Sequence, residues 1–331
     1  GVFGQIEADV MHHADVYLLI VTASIPFIAL YNGGAAVFRA MGNSEVSMKV
    51  SLLMNAINVS GNAILIYGFH CGTEGVAIPT LVSRFVAAFI IIKLLLKDKW
   101  SLHLERTFRF NPDWSMIRKI LSVGIPNGLE NSMFQLGKVL VLSLVSTFGT
   151  YAIAANAVSN VITLFSILPG QAICLAVTTV IARCVGAGDY EQAKYYNKKL
   201  ILLTHIGMAI TIFIVFITLP FILKVYNLSE AASEATRHII WFHGFCAILI
   251  WAESFTLPAT FRACGDAKAC MIISTVSMWI FRVGASYILG KNLGLGVFGV
   301  WVAMIIDWAF RSLLFGIRYF SGKWKKHALV S

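Results

Sequence analysis

Read for hydropathy alone, the chain is a series of long apolar stretches separated by short polar ones. Residues 16–38, 50–73 and 200–223 each run without a charged side chain, and a helix needs about 20 apolar residues to cross a bilayer. Residues 139–182 form a longer uncharged run, long enough for two helices and interrupted near one end by Gly149-Thr150. The pattern predicts nine spanning helices, at about 16–38, 48–69, 75–96, 117–146, 151–183, 197–222, 237–261, 268–290 and 295–318. The expected fold class is therefore an all-α polytopic membrane protein.

The connections carry their own signals. Only the segment between the third and fourth helices is long, so it reads as the boundary between a partial N-terminal lobe (1–96), an inter-lobe connection (97–116) and a C-terminal lobe (117–331). Within it, Asn111-Pro112-Asp113 reads as an N-cap, a proline at the first helical position and an acid in the first turn. Gly186-Ala187-Gly188-Asp189 followed by Gln192 predicts a glycine stop and then a capping box. Pro169-Gly170 reads as a break in the fifth helix.

Composition agrees with the membrane reading. The chain is 58% hydrophobic and only 13% charged, with mean hydropathy +0.78, whereas soluble domains carry about 25% charged residues. The six cysteines form no CxxC pair or Cys/His ligand spacing, so they read as packing residues. The net charge of +10 invites a nucleic-acid reading until the basic residues are placed on the helix map. Nineteen of the 26 Lys and Arg fall in alternate connections and the tail, and only Lys224, Arg237 and Lys291 lie on the other side. That asymmetry is the positive-inside pattern. It predicts a multi-pass protein of the plasma (inner) membrane with a cytoplasmic C-terminus and residue 1 on the outer side, and no nucleic-acid partner.

An internal repeat extends the picture. Phe38-Arg39-Ala40-Met41-Gly42-Asn43 recurs as Phe261-Arg262-Ala263-Cys264-Gly265-Asp266, and Met48 and Ser51 match Met271 and Ser274 at the same offset. With one residue inserted, Gly75-Val76 matches Gly299-Val300. The copies join helices one to two and seven to eight, so the repeat unit is six helices in parallel orientation, a recurrent build of secondary transporters. Nine helices with that period imply twelve in all, three of them before residue 1, and an odd number is what the loop charges require.

These same residues resemble the multidrug and toxic compound extrusion (MATE) family. Its half-repeat has an Arg-x-x-Gly-Asp-like inner loop, an Asn-bearing helix and a Gly-Val opening of the next helix. Arg39 to Asn43 with Asn58 and Asn62, Arg262 to Asp266, Gly149 to Asn156 and Val185 to Asp189 fit those segments in order and spacing. The resemblance implies helices four to twelve of a twelve-helix protein, two six-helix lobes around a central cavity. It implies a monomeric antiporter, not an enzyme and without cofactor, that exports cationic or amphiphilic organic compounds in exchange for inward Na⁺ or H⁺. The aspartate that some members carry in the fifth helix of the N-terminal half is replaced here by Asn58 and Asn62.

Candidate chemistry is sparse. The spans contain only three carboxylates, Glu130, Glu253 and Asp307, and an intramembrane acid is a functional candidate by default because it is costly unless paired, neutral or solvated. Burial can poise such a group for proton exchange, and an ionised pair could hold Na⁺. Glu130 leads. It sits beside Asn127 and Asn131, with Gln135 and Lys138 further along, and either serves ion coupling, with Na⁺ near it, or makes a structural contact with Lys138. Asp307 and Arg311, four apart, fit an internal ion pair. Glu253 either joins Glu130 or pairs with Arg282 or Lys138. Ser51, Asn55, Asn58 and Asn62 form one polar face, and Asn156, Asn160, Thr163 and Gln171 another; in lipid such faces turn to another helix or a wet path. Phe134, Phe165 and Trp251 offer rings for cation–π contact with cationic substrates.

The rivals are a lipid-linked saccharide flippase of the same broad superfamily and a non-transporting membrane scaffold. A flippase calls for helices beyond twelve and a strongly cationic cavity. A scaffold gives no reason for three buried acids.

Overall fold

A computed structural model describes residues 8–105 and 112–327. The chain divides into two compact units, Gly1–Asn111 and Pro112–Ser331.

The N-terminal unit contains α1 (Ala8–Ala23), α2 (Ile25–Ala40), α3 (Ser44–Ala63) and α4 (Glu74–Leu95). Ser24 and Pro26 mark the joint between α1 and α2, which together form the apolar span Met11–Ala40. Helix α3 continues as a π-helical turn over Ile64–Gly68. The core gathers Tyr31, Ala35 and Phe38 from α2, Val50 from α3, and Ala87, Ile91 and Leu95 from α4. Small residues set its closeness: a Cβ on Gly34 would lie 2.8 Å from Ile91, and one on Gly61 2.8 Å from Pro79. Arg84 reaches the α1–α2 joint and donates to Ser24 Oγ at 2.6 Å. The α3 amides turn to a neighbouring helix, with Asn58 donating to Thr80 on α4 at 3.1 Å and Asn62 to Asn58 at 3.4 Å.

The C-terminal unit contains α5 (Trp114–Ser146), α6 (Thr150–Gly186), α7 (Tyr190–Tyr226), α8 (Glu230–Trp251), α9 (Leu257–Ala263), α10 (Ala267–Ser277) and α11 (Gly296–Phe320). A π-helical turn, Ala252–Thr256, links α8 to α9, and two more, Met278–Gly284 and Tyr287–Asn292, prolong α10. One core packs Leu144 and Val145 of α5 with Met208, Ile212, Trp251, Trp301 and Trp308. A second packs Val177, Ile181, Phe261, Cys270 and Phe315.

Nine helical segments thus stand where nine spans were expected among the described residues, eight of them long and apolar enough to cross a membrane. The ninth, α5, is 33 residues long but is the one carrying Asn127, Glu130, Asn131, Gln135 and Lys138, and that polarity separates it from the rest. Three local expectations need correction. Asp113 is itself the N-cap of α5, its carboxylate accepting from the Ser115 and Met116 amides, while Asn111 lies outside the described residues. Asp189 caps α7 through the Gln192 amide at 2.8 Å, but the Gln192 side chain accepts from Cys184 Sγ instead of closing the box. Pro169-Gly170 does not break α6, which runs unbroken for 37 residues; Gly170 instead admits Trp251, whose ring would lie 2.3 Å from an added Cβ.

The repeated hexapeptide folds the same way twice. Gly42 and Gly265 take φ of +80° and +84°. Asn43 and Asp266 each return an amide 2.9 Å from the carbonyl five residues back, Phe38 and Phe261. This is a Schellman stop, in which glycine takes the left-handed position and two orphan carbonyls are satisfied. The turn after α6 uses the same bonds, with Gly188 at φ +74° and the Asp189 amide 3.0 Å from the Cys184 carbonyl.

One buried ion pair fastens the C-terminal unit. Arg311 donates to both oxygens of Asp307, at 3.0 and 2.8 Å, and Ser277 from α10 adds 2.6 Å to the same carboxylate. Asp307 is 0% and Arg311 2% exposed, so the i,i+4 pair expected from sequence is present and saturated. Asp307→Asn, which leaves Arg311 uncompensated, should lower stability by about 3–5 kcal/mol in denaturant titration in detergent. Gly265→Ala forces a left-handed Ala and should cost about 1–2 kcal/mol; Gly186→Ala, with open space around its Cβ, should leave the melting temperature unchanged or slightly higher.

Candidate functional site

The C-terminal unit encloses a cavity of about 780 Å³ whose wall is made by α5, α6, α8, α9 and α11 with Arg282. Its shape follows from large rings held by small residues. Gly170 on α6 lets the Trp251 indole lie against the helix backbone, and the π turn after α8 brings Phe255 into a stack on that indole, centroids 5.0 Å apart. From α11, Trp301 and Trp308 flank the His243 ring at 5.5 and 5.2 Å. All five rings line the cavity.

The polar face of α6 faces the same space. Asn160, Thr163 and Gln171 line the cavity, while Asn156 and Asn160 line an adjoining recess of about 250 Å³ with Lys138, Arg282 and Trp301. Trp301 Nε1–H donates to Asn156 Oδ1 at 3.1 Å, fixing the amide and the indole together. On α5, Asn127 lines both the cavity and a second recess of about 200 Å³ that also holds Glu130, Asn131, Arg262 and Arg311. Asn131 donates to the Asn127 carbonyl at 2.8 Å. Gln135 is exposed and lines none of these spaces, so it falls outside the site.

The three acids part company. Glu130 does not reach Lys138. Both of its oxygens stand 2.8 Å from Nη2 of Arg262, so a Na⁺ at Glu130 would have to displace a guanidinium. Asp307 is held by Arg311 and Ser277. Glu253 joins neither Glu130 nor Arg282 nor Lys138; its Oε1 lies 3.0 Å from Nε2 of His205 on α7. His205 Nδ1 lies 2.7 Å from the Ile248 carbonyl, and a carbonyl can only accept, so Nδ1 carries its proton. The His205–Glu253 contact then contains one mobile proton, held either as imidazolium and carboxylate or as neutral imidazole and carboxylic acid. Glu253 Oε2 is buried without a hydrogen-bond partner.

The basic side chains give the cavity its sign. Lys138, Arg262 and Arg282 line it, and among the described residues no carboxylate does. Lys138 Nζ and Arg282 Cζ each stand 5.1 Å from the centre of the Phe134 ring, and Arg311 Cζ stands 5.2 Å from it. The Phe134 face offered from sequence to a cationic substrate is thus already surrounded by the protein's own cations. Phe165 is exposed and away from the cavity, whereas Trp251 lines it. Sequence reading missed Arg262, read only as part of the repeated motif, and His205, a single ring in an apolar stretch; which acid faces each depends on helix packing that sequence spacing does not carry.

The MatE family profile matches residues 126–288. A probable multidrug resistance protein NorM from Thermotoga maritima is 26% identical over all of this chain and 72% of its own length. A probable multidrug resistance protein YoeA from Bacillus subtilis is 25% identical over 97% of this chain and 70% of its own. Among solved structures, the outward-facing conformation of a multidrug resistance MATE transporter of the MOP superfamily superposes with TM-score 0.85 at 20% identity, covering 94% of this chain and 70% of that one. A Pyrococcus furiosus transporter of that superfamily, described by a binding pocket of reverse polarity, gives 0.83 at 21% identity, covering 92% and 69%. Along its length the chain is similar in sequence to probable multidrug resistance proteins, and its fold is that of solved MATE structures.

Proposed function

We propose that this protein is a secondary active antiporter that exports amphiphilic organic compounds, cations among them, in exchange for an inward ion by alternating access. The observation that carries the reading is the cavity in the C-terminal unit. It has the volume of a small-molecule site, mostly ring-lined with a few placed amides and charges, inside a bundle homologous to multidrug transporters. The repeat supports twelve helices in two parallel six-helix lobes, of which this chain would supply helices four to twelve; the greater length of its relatives agrees with that. Loop charge supports a cytoplasmic C-terminus in the inner membrane.

For the coupling ion the geometry favours H⁺. Glu130 and Asp307 each neutralise an arginine, which suits them to hold a conformation. Glu253 with His205 shares a single proton, and a carboxylate–imidazole pair changes charge within the physiological range more readily than a carboxylate–guanidinium pair. We assign the exchanged proton to Glu253 and His205 and the conformational latch to Glu130 with Arg262. Asn127, Asn131, Asn156 and Asn160 belong to the substrate path, with Asn58 and Asn62 as helix–helix ties in the N-terminal unit. The flippase alternative gains one supporting observation, the basic lining of the cavity, and would be marked by movement of a lipid-linked substrate without an ion gradient.

The test is efflux of a fluorescent organic cation from proteoliposomes under separate pH and Na⁺ gradients. A pH gradient should drive efflux, and Glu253→Gln and His205→Gln should each reduce it about tenfold or more while the purified variants remain monodisperse. Efflux driven by Na⁺ alone, or undiminished in Glu253→Gln, sinks the proton assignment. Glu130→Gln should slow efflux with either gradient, because a latch is needed whatever the ion.

A further inference from the structure

Three cations, Lys138, Arg282 and Arg311, stand around Phe134 in the C-terminal unit, and a fourth, Arg262, lines a recess with that ring. Two of the cations, Arg262 and Arg311, are matched by Glu130 and Asp307. Lys138 and Arg282 are not. Among the described residues neither side chain has an ion pair or a hydrogen-bond acceptor, and Arg282 Nε is buried without a partner. Asp307 attracts Arg282 through space, but its oxygens already accept from Arg311 and Ser277. Both unmatched cations face one side of Phe134 or another at 5.1 Å, and both line the main cavity and its recess.

Charges at membrane depth normally pair with one another or face water, and a guanidinium with an orphaned buried N–H lacks even a neutral acceptor. A ring quadrupole attracts a cation only weakly beside a carboxylate. The missing component is a negative charge. The recess between Lys138 and Arg282 also presents the Asn156 and Asn160 amides and the Trp301 edge, while the larger cavity presents Trp251, Phe255 and Trp308. An anionic head beside the two cations and an apolar body against the rings would match both parts.

We propose that Lys138 and Arg282 form an anion-accepting subsite that takes the carboxylate, sulfonate or phosphate of an anionic or zwitterionic amphiphile. This deepens the transport reading and rests on it for its biological sense, but the binding step stands apart from transport. The subsite adds anionic and zwitterionic compounds to the substrate range. A compound that is only cationic gains nothing from this wall. Arg282 with its planar fork would fix the direction of the anion, and Lys138, on the longer and more mobile stem, would follow it.

The test measures binding to the purified full chain in detergent, so that a failure of transport leaves it unaffected. The probes are three dansyl amphiphiles with the same alkyl chain, ending in a sulfonate, a neutral amide or a trimethylammonium group, detected by energy transfer from tryptophan. Wild type should bind the sulfonate at least tenfold more tightly than the trimethylammonium form. Lys138→Gln and Arg282→Gln should each weaken sulfonate binding about tenfold and change amide binding less than twofold, while Arg282→Lys should recover part of the loss. Unchanged amide binding in each variant shows that the cavity is still folded. Repeating the titration in nanodiscs with and without phosphatidylglycerol separates two sources of the anion: displacement by that lipid assigns the subsite to a headgroup, and its absence to a free amphiphile. No preference for the sulfonate in wild type, or a preference that survives both glutamine variants, overturns the proposal.

Discussion

A charge taken into a bilayer must find an opposite charge, a set of dipoles or water, and in this chain that requirement organises nearly everything of interest. Residues in the lipid region cannot be neutralised by moving outward as a surface lysine can, so their partners must be supplied by neighbouring helices. Asp307 and Arg311 solve the problem within one helix, with Ser277 completing the carboxylate. Glu130 and Arg262 solve it between α5 and the end of α9, 132 residues apart in sequence. Glu253 solves it with an imidazole, a partner that is itself able to lose its charge. Each solution is chemically different: a carboxylate–guanidinium pair within one helix, a carboxylate–guanidinium tie between helices, and a carboxylate–imidazole pair.

The backbone answers the same constraint. Three of the polar joints between helices are closed by one device, a left-handed glycine followed by an amide that reaches five residues back. It satisfies carbonyls that would otherwise be stranded at the membrane surface, and it lets the next helix start within two residues. In the second copy the residue after the glycine also meets Arg318 from α11 at 2.6 and 2.8 Å, so the turn ties the end of α9 to the last helix. The first copy has Asn43 at that position and no such tie among the described residues. The two copies of the motif therefore share a local geometry while the second also makes a longer-range contact.

How much of this could be read from sequence depends on the distance over which each feature is determined. Span lengths, the break at Gly149 and the capping by Asp189 are set by a few adjacent residues, and they stand where hydropathy and turn chemistry placed them. The Asp307–Arg311 pair was legible for the same reason, because four residues on a helix is a fixed displacement. Pro169-Gly170 misled because a proline inside a long helix can be tolerated when neighbours absorb its missing hydrogen bond, and the glycine's role was to admit a ring from another helix. The partners of Glu130 and Glu253 were invisible because they depend on which helices become neighbours. No periodicity within α5 or α8 carries that information. Arg262 was hidden further by its membership of a repeated motif, since the same arginine in the first copy, Arg39, has no carboxylate opposite it among the described contacts.

That contrast between the two arginines bears on how a duplicated fold acquires function. Both occupy the same position before a left-handed glycine, where a basic residue favours the helix C-terminus and the lipid headgroups. In the second copy alone, α5 brings Glu130 to the guanidinium, and with it Asn127 and Asn131 to the edge of the cavity. The local rule would be satisfied without an acid; adding one creates a link between the C-terminal end of α9 and the middle of α5. Once Glu130 is committed to Arg262 and Asp307 to Arg311, no carboxylate remains for Lys138 and Arg282. The positive wall of the cavity is thus a consequence of how the acids are distributed among the helices. Moving either acid by one helical turn would both loosen a tie and change the charge balance around the cavity.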